Sequence, residues 1–319
     1  MNKYITVNPN PKNAWRGIGH QFLCFLTSYI LSKKYNLKFI WQPFAGDNDG
    51  TWASKKSNAF QIDRPVKLWN NFLNFGQNEL TLNDLSKNLI HKIQLPYIEQ
   101  AKWDNLEFKY LLGSDLSTMD KPNVLYQISE LSDGQFFHID WDIFNNNILR
   151  NKYHLAKSKQ PQTINYLDRS FINIALHRRA GDVSRNTQFN RWKEIDYYIR
   201  IINNINKIKF DKEHIIHIYS YDIDEEEIEL LSGCRNVKFH INENTFDTFH
   251  NMVNCDVLIN GQSSFSVLAA YLSYGIKLCT PWGIHWNDFP EQNDLIIINQ
   301  NGSFDQDKLL KVIGDGVYI

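Results

Sequence analysis

From residue 171 onward, short apolar runs alternate with longer amphipathic intervals, and few folds accommodate that pattern. The runs fall at 171–177, 214–220, 237–241, 257–260, 276–280 and 295–299. The intervals at 194–207, 224–232, 246–253 and 264–274 carry apolar residues at helical spacing. Apolar strands separated by helices predict a parallel sheet covered on both faces, an α/β domain.

The start of the chain repeats the pattern once. Residues 1–7 read as a strand, followed by a loop containing Gly17 and Gly19. A helix over 21–35 places Phe22, Phe25, Leu26, Tyr29 and Ile30 three and four apart, and 37–41 is a second strand. Strand, loop, helix and strand make a right-handed crossover unit. Between 43 and 165 the pattern is weaker. Gly46-Asp47-Asn48-Asp49-Gly50 is a loop, 68–75 and 80–93 are expected to be helical, and 123–128 resembles a strand. A polar stretch at 157–162 marks the boundary. A length of 319 residues suits two α/β domains, 1–165 and 166–319.

Composition removes several classes of function. A formal net charge of −1 lacks the basic excess of a nucleic-acid binder. No apolar run reaches membrane-spanning length, and residues 1–7 lack a signal-peptide core. Cys24, Cys234, Cys255 and Cys279 have no metal-site spacing and lie in apolar segments, as expected of reduced thiols in the cytoplasm. Aromatic residues make up 14% of the chain, including nine Trp. Sugar-binding platforms and ordinary core packing both use such rings, and core packing is the expected fate of most.

The densest chemistry is the run His177-Arg178-Arg179-Ala180-Gly181-Asp182, where a buried strand reaches the carboxyl edge at which open α/β sheets bind ligands. Two guanidiniums beside a core are costly unless paired. A diphosphate suits them, because the planar fork of Arg matches phosphate oxygens. In sugar transfer, negative charge grows on the leaving diphosphate, and one lost donor there costs roughly 10²–10³ in rate. The alternative is an ion pair of Arg178 or Arg179 with Asp182 that pins a loop.

This run resembles the HxRxGD signature of the fucosyltransferase superfamily that includes α1,2-, α1,6- and protein O-fucosyltransferases. His177, Arg179, Gly181 and Asp182 occupy the motif positions, with Ala180 where a second Arg is common. Trp15-Arg16-Gly17-Ile18-Gly19-His20-Gln21-Phe22 is similar to an early Gly-Asn-Gln segment of that group, with His20 replacing Asn. Ile218-Tyr219-Ser220-Tyr221-Asp222 resembles its Phe-Ser-Asp-Asp strand end. Asn260-Gly261-Gln262-Ser263-Ser264-Phe265 resembles the start of its Ser/Thr-rich helix segment. The similarity spans most of 171–280 and a short N-terminal patch.

The resemblance implies a GT-B architecture of two Rossmann-like domains facing across a cleft, with the nucleotide in the second. Whether the last residues cross back to the first domain is open. It also implies inversion at the anomeric carbon, GDP-fucose as donor, a glycan hydroxyl as acceptor and no metal. The expected nucleotide contacts are His177, Arg178, Arg179, Asp247, Gln262, Ser263, Ser264, Phe265, Arg16 and Gly17. Ser263 is equally an N-cap, and Asp247, placed at the guanine with Asp256 second, is equally a first-turn residue favoured by the helix dipole. Arg179, Asp182 and His20 are the expected catalytic residues, with Asp47 and Asp49 further candidates for a general base. Asp224-Glu225-Glu226-Glu227 reads as a solvated helix start. Trp282 to Asp288 either lines the cleft or packs a loop. Two rival functions remain: a transferase using another nucleotide sugar, and a non-catalytic nucleotide- or glycan-binding protein of the same fold. No Gly-x-Ser-x-Gly elbow or Gly-rich first turn in the second half points to a hydrolase or dehydrogenase.

Overall fold

The computed structural model describes residues 2–7, 18–44, 66–85, 91–95, 123–128, 147–159, 166–181, 183, 186, 191–280 and 294–315. The chain divides into two compact units, Met1–Gln160 and Pro161–Ile319. Each is α/β and built on a parallel sheet.

In the first unit, β1 (Asn2–Val7), β2 (Lys38–Trp41), β3 (Leu80–Thr81), β4 (His91–Leu95) and β5 (Asn123–Ile128) pair in the order β3-β2-β1-β5-β4. All four pairings are parallel. Helix α1 (Ile18–Lys34) makes the crossover from β1 to β2, and the Phe22, Phe25, Leu26, Tyr29 and Ile30 stripe is buried. Phe25 stacks on Phe75 with ring centroids 5.5 Å apart and meets Trp41 edge-on at 5.1 Å. These aromatic side chains form core, as burial of such large rings favours. Helices α2 (Val66–Leu73) and α3 (Ile148–Lys159) meet through Phe72 and Tyr153, centroids 5.7 Å apart.

Residues 80–93 are not one helix. Leu80 and Thr81 pair with Ile40 and Trp41, and Leu82–Asp84 is a single 3-10 turn. The Thr81 backbone N–H and hydroxyl both donate to one Asp84 carboxylate oxygen, at 2.6 and 2.7 Å. His91 already belongs to β4, paired with β5. Leu82, Leu85, Leu89 and Ile93 imitate helical spacing, but sheet pairing on both sides of the turn takes precedence over the local pattern.

The second unit follows its sequence pattern closely. Strands β6 (Ile172–Arg178), β7 (His214–Ser220), β8 (Val237–Ile241), β9 (Val257–Asn260), β10 (Ile276–Cys279) and β11 (Leu295–Ile297) are ordered β11-β10-β9-β6-β7-β8. All pairings are parallel. The helices are α4 (Ile195–Ile205), α5 (Glu225–Ser232), α6 (Thr245–Asn254), α7 (Ser264–Leu272) and α8 (Gln306–Gly314). Ile174, Leu176, Ile216, Ile218, Val257, Ile259, Ile276 and Leu278 face α4, α5 and α8 in one apolar cluster. Leu309 and Val312 of α8 join that cluster, so this helix packs on its own unit. His177 and Tyr219, neighbours in register, lie on the opposite face with α6 and α7.

The chain order reverses between β6 and β9. It runs outward through β7 and β8 on one side, then returns to β9 and runs outward through β10 and β11 on the other. Loops leaving two adjacent strands in opposite directions open a crevice at the carboxyl edge, the place where doubly wound sheets hold ligands. In this chain those loops begin at Arg179 and at Gly261.

Candidate functional site

Strand β6 is buried along its whole length and ends at Arg178, with Arg179 the first residue beyond it. Side chains alternate across a strand, so neighbours diverge. His177 and Arg179 go to one face and Arg178 to the other. Arg179 Nη1 donates to the Ser263 hydroxyl at 3.3 Å, bridging the loops after β6 and β9. Arg178 is fully buried, with Nη2 bound to Glu227 Oε1 at 2.6 Å and Nη1 to the Arg179 carbonyl. Its guanidinium lies over Trp192 at 4.3 Å and Tyr198 at 5.2 Å. The residues expected together at the nucleotide therefore separate, with Arg178 enclosed by α4 and α5.

Glu227 is the residue that sequence reasoning missed. Asp224, Glu225 and Glu226 are exposed and Asp224 caps α5, as an acidic helix start should. Glu227 is buried against Arg178. The available signal was period: Arg178 shares a face with Ile174 and Leu176, and a buried guanidinium needs a carboxylate there.

His177 is 8% exposed, and its Nδ1 has no hydrogen-bond partner among the described residues. Burial, then Arg179, then Arg178 push its pKa down to about 3. The ring is neutral at pH 7 and lies 5.9 Å from the Phe265 ring, which in turn meets Phe249 at 5.2 Å.

The loop after β9 is fixed tightly. A Cβ on Gly261 would stand 2.4 Å from the His177 carbonyl oxygen and 2.9 Å from its Nδ1, so only glycine lets the two strand ends approach. Ser266 Oγ donates to the Gly261 carbonyl at 3.0 Å, and Ser263 N–H donates to the same oxygen at 2.8 Å. Ser263 Oγ caps α7 by accepting from Phe265 N–H at 3.3 Å. Gln262 and Ser263 are buried, and Ser264 opens the helix. The amino end of a helix, a hydroxyl and a guanidinium thus converge at one crevice, a combination suited to an anion.

The loop after β6 has its own device. Gly181 has φ +75°, in the left-handed region. Ser220 Oγ at the end of β7 donates to the Arg178 carbonyl at 2.9 Å. Asp222, with φ 55°, is held by Asn242, whose side-chain oxygen accepts its N–H at 2.8 Å.

Asp247 is buried in the first turn of α6, where its carbonyl accepts from Asn251 Nδ2 at 2.7 Å. Asp256 lies elsewhere. It precedes β9 and accepts the Asn173 N–H at 2.7 Å near the start of β6, so it sits at the amino edge and not beside the arginines. Arg16, Gly17, Asp182, Asp47, Asp49 and Trp282 to Asp288 lie outside the described residues. His20 belongs to the first turn of α1, and its side chain also lies outside them. Among the described residues, no three His, Cys, Asp or Glu side chains cluster to hold a metal ion. No described helix is long and apolar enough to cross a membrane, and Cys24, Cys234, Cys255 and Cys279 form no disulfide.

No family model matches the chain, and no curated protein does. Remote likenesses exist among solved structures. An Arabidopsis thaliana FUT1 variant in complex with GDP is 9% identical with a TM-score of 0.44, covering 87% of this chain and 70% of that one. The Bradyrhizobium fucosyltransferase NodZ is 10% identical with a TM-score of 0.43, covering 95% and 97%. POFUT1 in complex with GDP is 13% identical with a TM-score of 0.39, covering 85% and 95%.

Proposed function

We propose that the second unit binds a nucleoside diphosphate-sugar at the β6/β9 crevice and that the protein is an inverting glycosyltransferase. The observation that carries this reading is the Arg179–Ser263 contact, at the sheet edge where the chain order reverses and a capped helix begins. Arg179 is assigned to the diphosphate, where it offsets the charge that develops as the glycosidic bond breaks. The amino end of α7 contributes backbone N–H groups to the same anion. With a fixed guanidinium there, the leaving group needs no metal ion. The neutral His177 ring adds a polar edge to this crevice without adding to its positive charge.

GDP-fucose is the donor in this reading. It rests on the sequence resemblance and on a buried carboxylate, Asp247, matched to the N–H donors of guanine. The acceptor is a glycan hydroxyl, and cysteines outside any disulfide accord with a cytoplasmic enzyme. His20 and Asp182 keep their assignment as candidates for accepting the acceptor proton. A thermal-shift panel of GDP, UDP, CMP and dTDP, with and without Mg²⁺, tests the reading. GDP alone should raise the melting temperature, with or without the metal. A shift with UDP but not GDP rejects fucose as the sugar, and no shift with any nucleotide rejects the transferase.

A further inference from the structure

We infer that buried Glu227 and Arg178, with half-buried Trp192 over the guanidinium, form a strut whose task is to place Arg179, making Arg178 and Glu227 positioning residues for the anion site. The inference rests on the diphosphate reading above. Arg178 Nη1 donates to the Arg179 carbonyl, so the fully buried guanidinium grips the backbone of the residue assigned to the phosphate. Glu227 fixes that guanidinium from α5 through Nη2 at 2.6 Å, and its own N–H is fixed by Asp224 Oδ1 at 2.7 Å. Trp192 covers the guanidinium face at 4.3 Å. Ser220 Oγ holds the carbonyl of Arg178 itself at 2.9 Å. Two consecutive carbonyls at the end of β6 are thus held by side chains, just before the left-handed turn at Gly181.

A buried charge pair is a poor way to gain stability. Apolar residues of similar volume in its place are often as stable or more so, whereas removing one partner is strongly destabilising. Stability alone therefore gives no reason for an arginine on the apolar face of β6. Control of the strand end does. A guanidinium reaches its own successor's carbonyl while holding a carboxylate on a neighbouring helix, which no apolar side chain can do.

The same property supplies the test. In Arg178→Met with Glu227→Met, both charges leave together, so the protein should melt near the wild-type temperature. GDP binding should nevertheless weaken on the order of tenfold, because Arg179 is no longer held toward the diphosphate. GMP, which lacks the β-phosphate, should lose much less, so the GDP-to-GMP preference falls. A folded double variant with wild-type GDP affinity and an unchanged preference overturns the strut and leaves the nucleotide reading intact. If the double variant does not fold, Glu227→Asp decides, because it keeps the charge beside Arg178 but draws the carboxylate back by one methylene and weakens the grip. An unchanged GDP-to-GMP preference in that variant overturns the inference. Wild-type protein that binds no GDP overturns the nucleotide reading, and the inference falls with it.

Discussion

Arg179 and Ser263 meet across the point where the sheet reverses, Nη1 lying 3.3 Å from Oγ, although 84 positions separate them in sequence. The serine hydroxyl is also the cap of α7, so one oxygen steers the guanidinium and ends the helix. Ser263→Ala should cost about 1 kcal/mol of stability through the lost cap. It should also weaken GDP binding severalfold, by releasing Arg179. Urea denaturation and calorimetry check the two effects separately. A stability loss with unchanged GDP affinity would leave Ser263 as a cap alone.

Gly261→Ala should damage fold and site together. The added Cβ would stand 2.4 Å from the His177 carbonyl, which is backbone and cannot swing away. Overpacking of this kind costs about 1–3 kcal/mol. The strand ends must part, so GDP affinity should fall in the same variant. An alanine variant as stable as wild type would show that the loop yields at no cost.

Asp247→Ala should relax base selectivity. A hydrogen bond to a charged group is worth about 1.5–3 kcal/mol, or roughly 10–100-fold in affinity. Wild type should prefer GDP to IDP, which lacks the exocyclic amine, and the variant should lose most of that preference. Equal binding of GDP and IDP by wild type would remove Asp247 from the base.

Acid should destabilise the protein from mildly acidic pH downward. Burial lowers the pKa of His177 to about 3, and burial with His240 and Lys238 lowers that of His217 to about 4, from an ordinary 6.5. His240 is also lowered by burial, against the opposing pull of Glu243. The unfolded chain protonates these rings first, so their stabilisation is intact above pH 6.5 and is lost as pH falls toward 4. His177 and His217 can each remove up to about 1.4 kcal/mol per pH unit. Urea midpoints at pH 7.5, 6 and 5 should fall in that order, and equal midpoints would contradict neutral buried rings.

Much of the second unit was legible because its strands are continuous apolar runs, and β7, β8 and β9 coincide with their sequence expectation. The first unit resisted at 80–93, where two short strands around one turn place leucines at helical intervals. Helix α3 was not legible, because among its described side chains only Leu149, Tyr153 and Ala156 are buried. At the site, the positions of Arg179 and Ser263 followed from strand ends and helix caps. The separation of Arg178 from Arg179 was also available, since side chains alternate along a strand. The need for glycine at 261 was not, because it arises from a carbonyl 84 residues earlier.

The central claim is that Arg179 holds a nucleoside diphosphate, and calorimetric titration of GDP onto wild type and Arg179→Ala, in EDTA, tests it most directly. Wild type should bind without metal, and the variant should bind roughly 10²-fold more weakly, as expected for a lost charge-assisted contact of about 3 kcal/mol. A folded Arg179→Ala variant that binds GDP as well as wild type, or wild type that binds none, would contradict it.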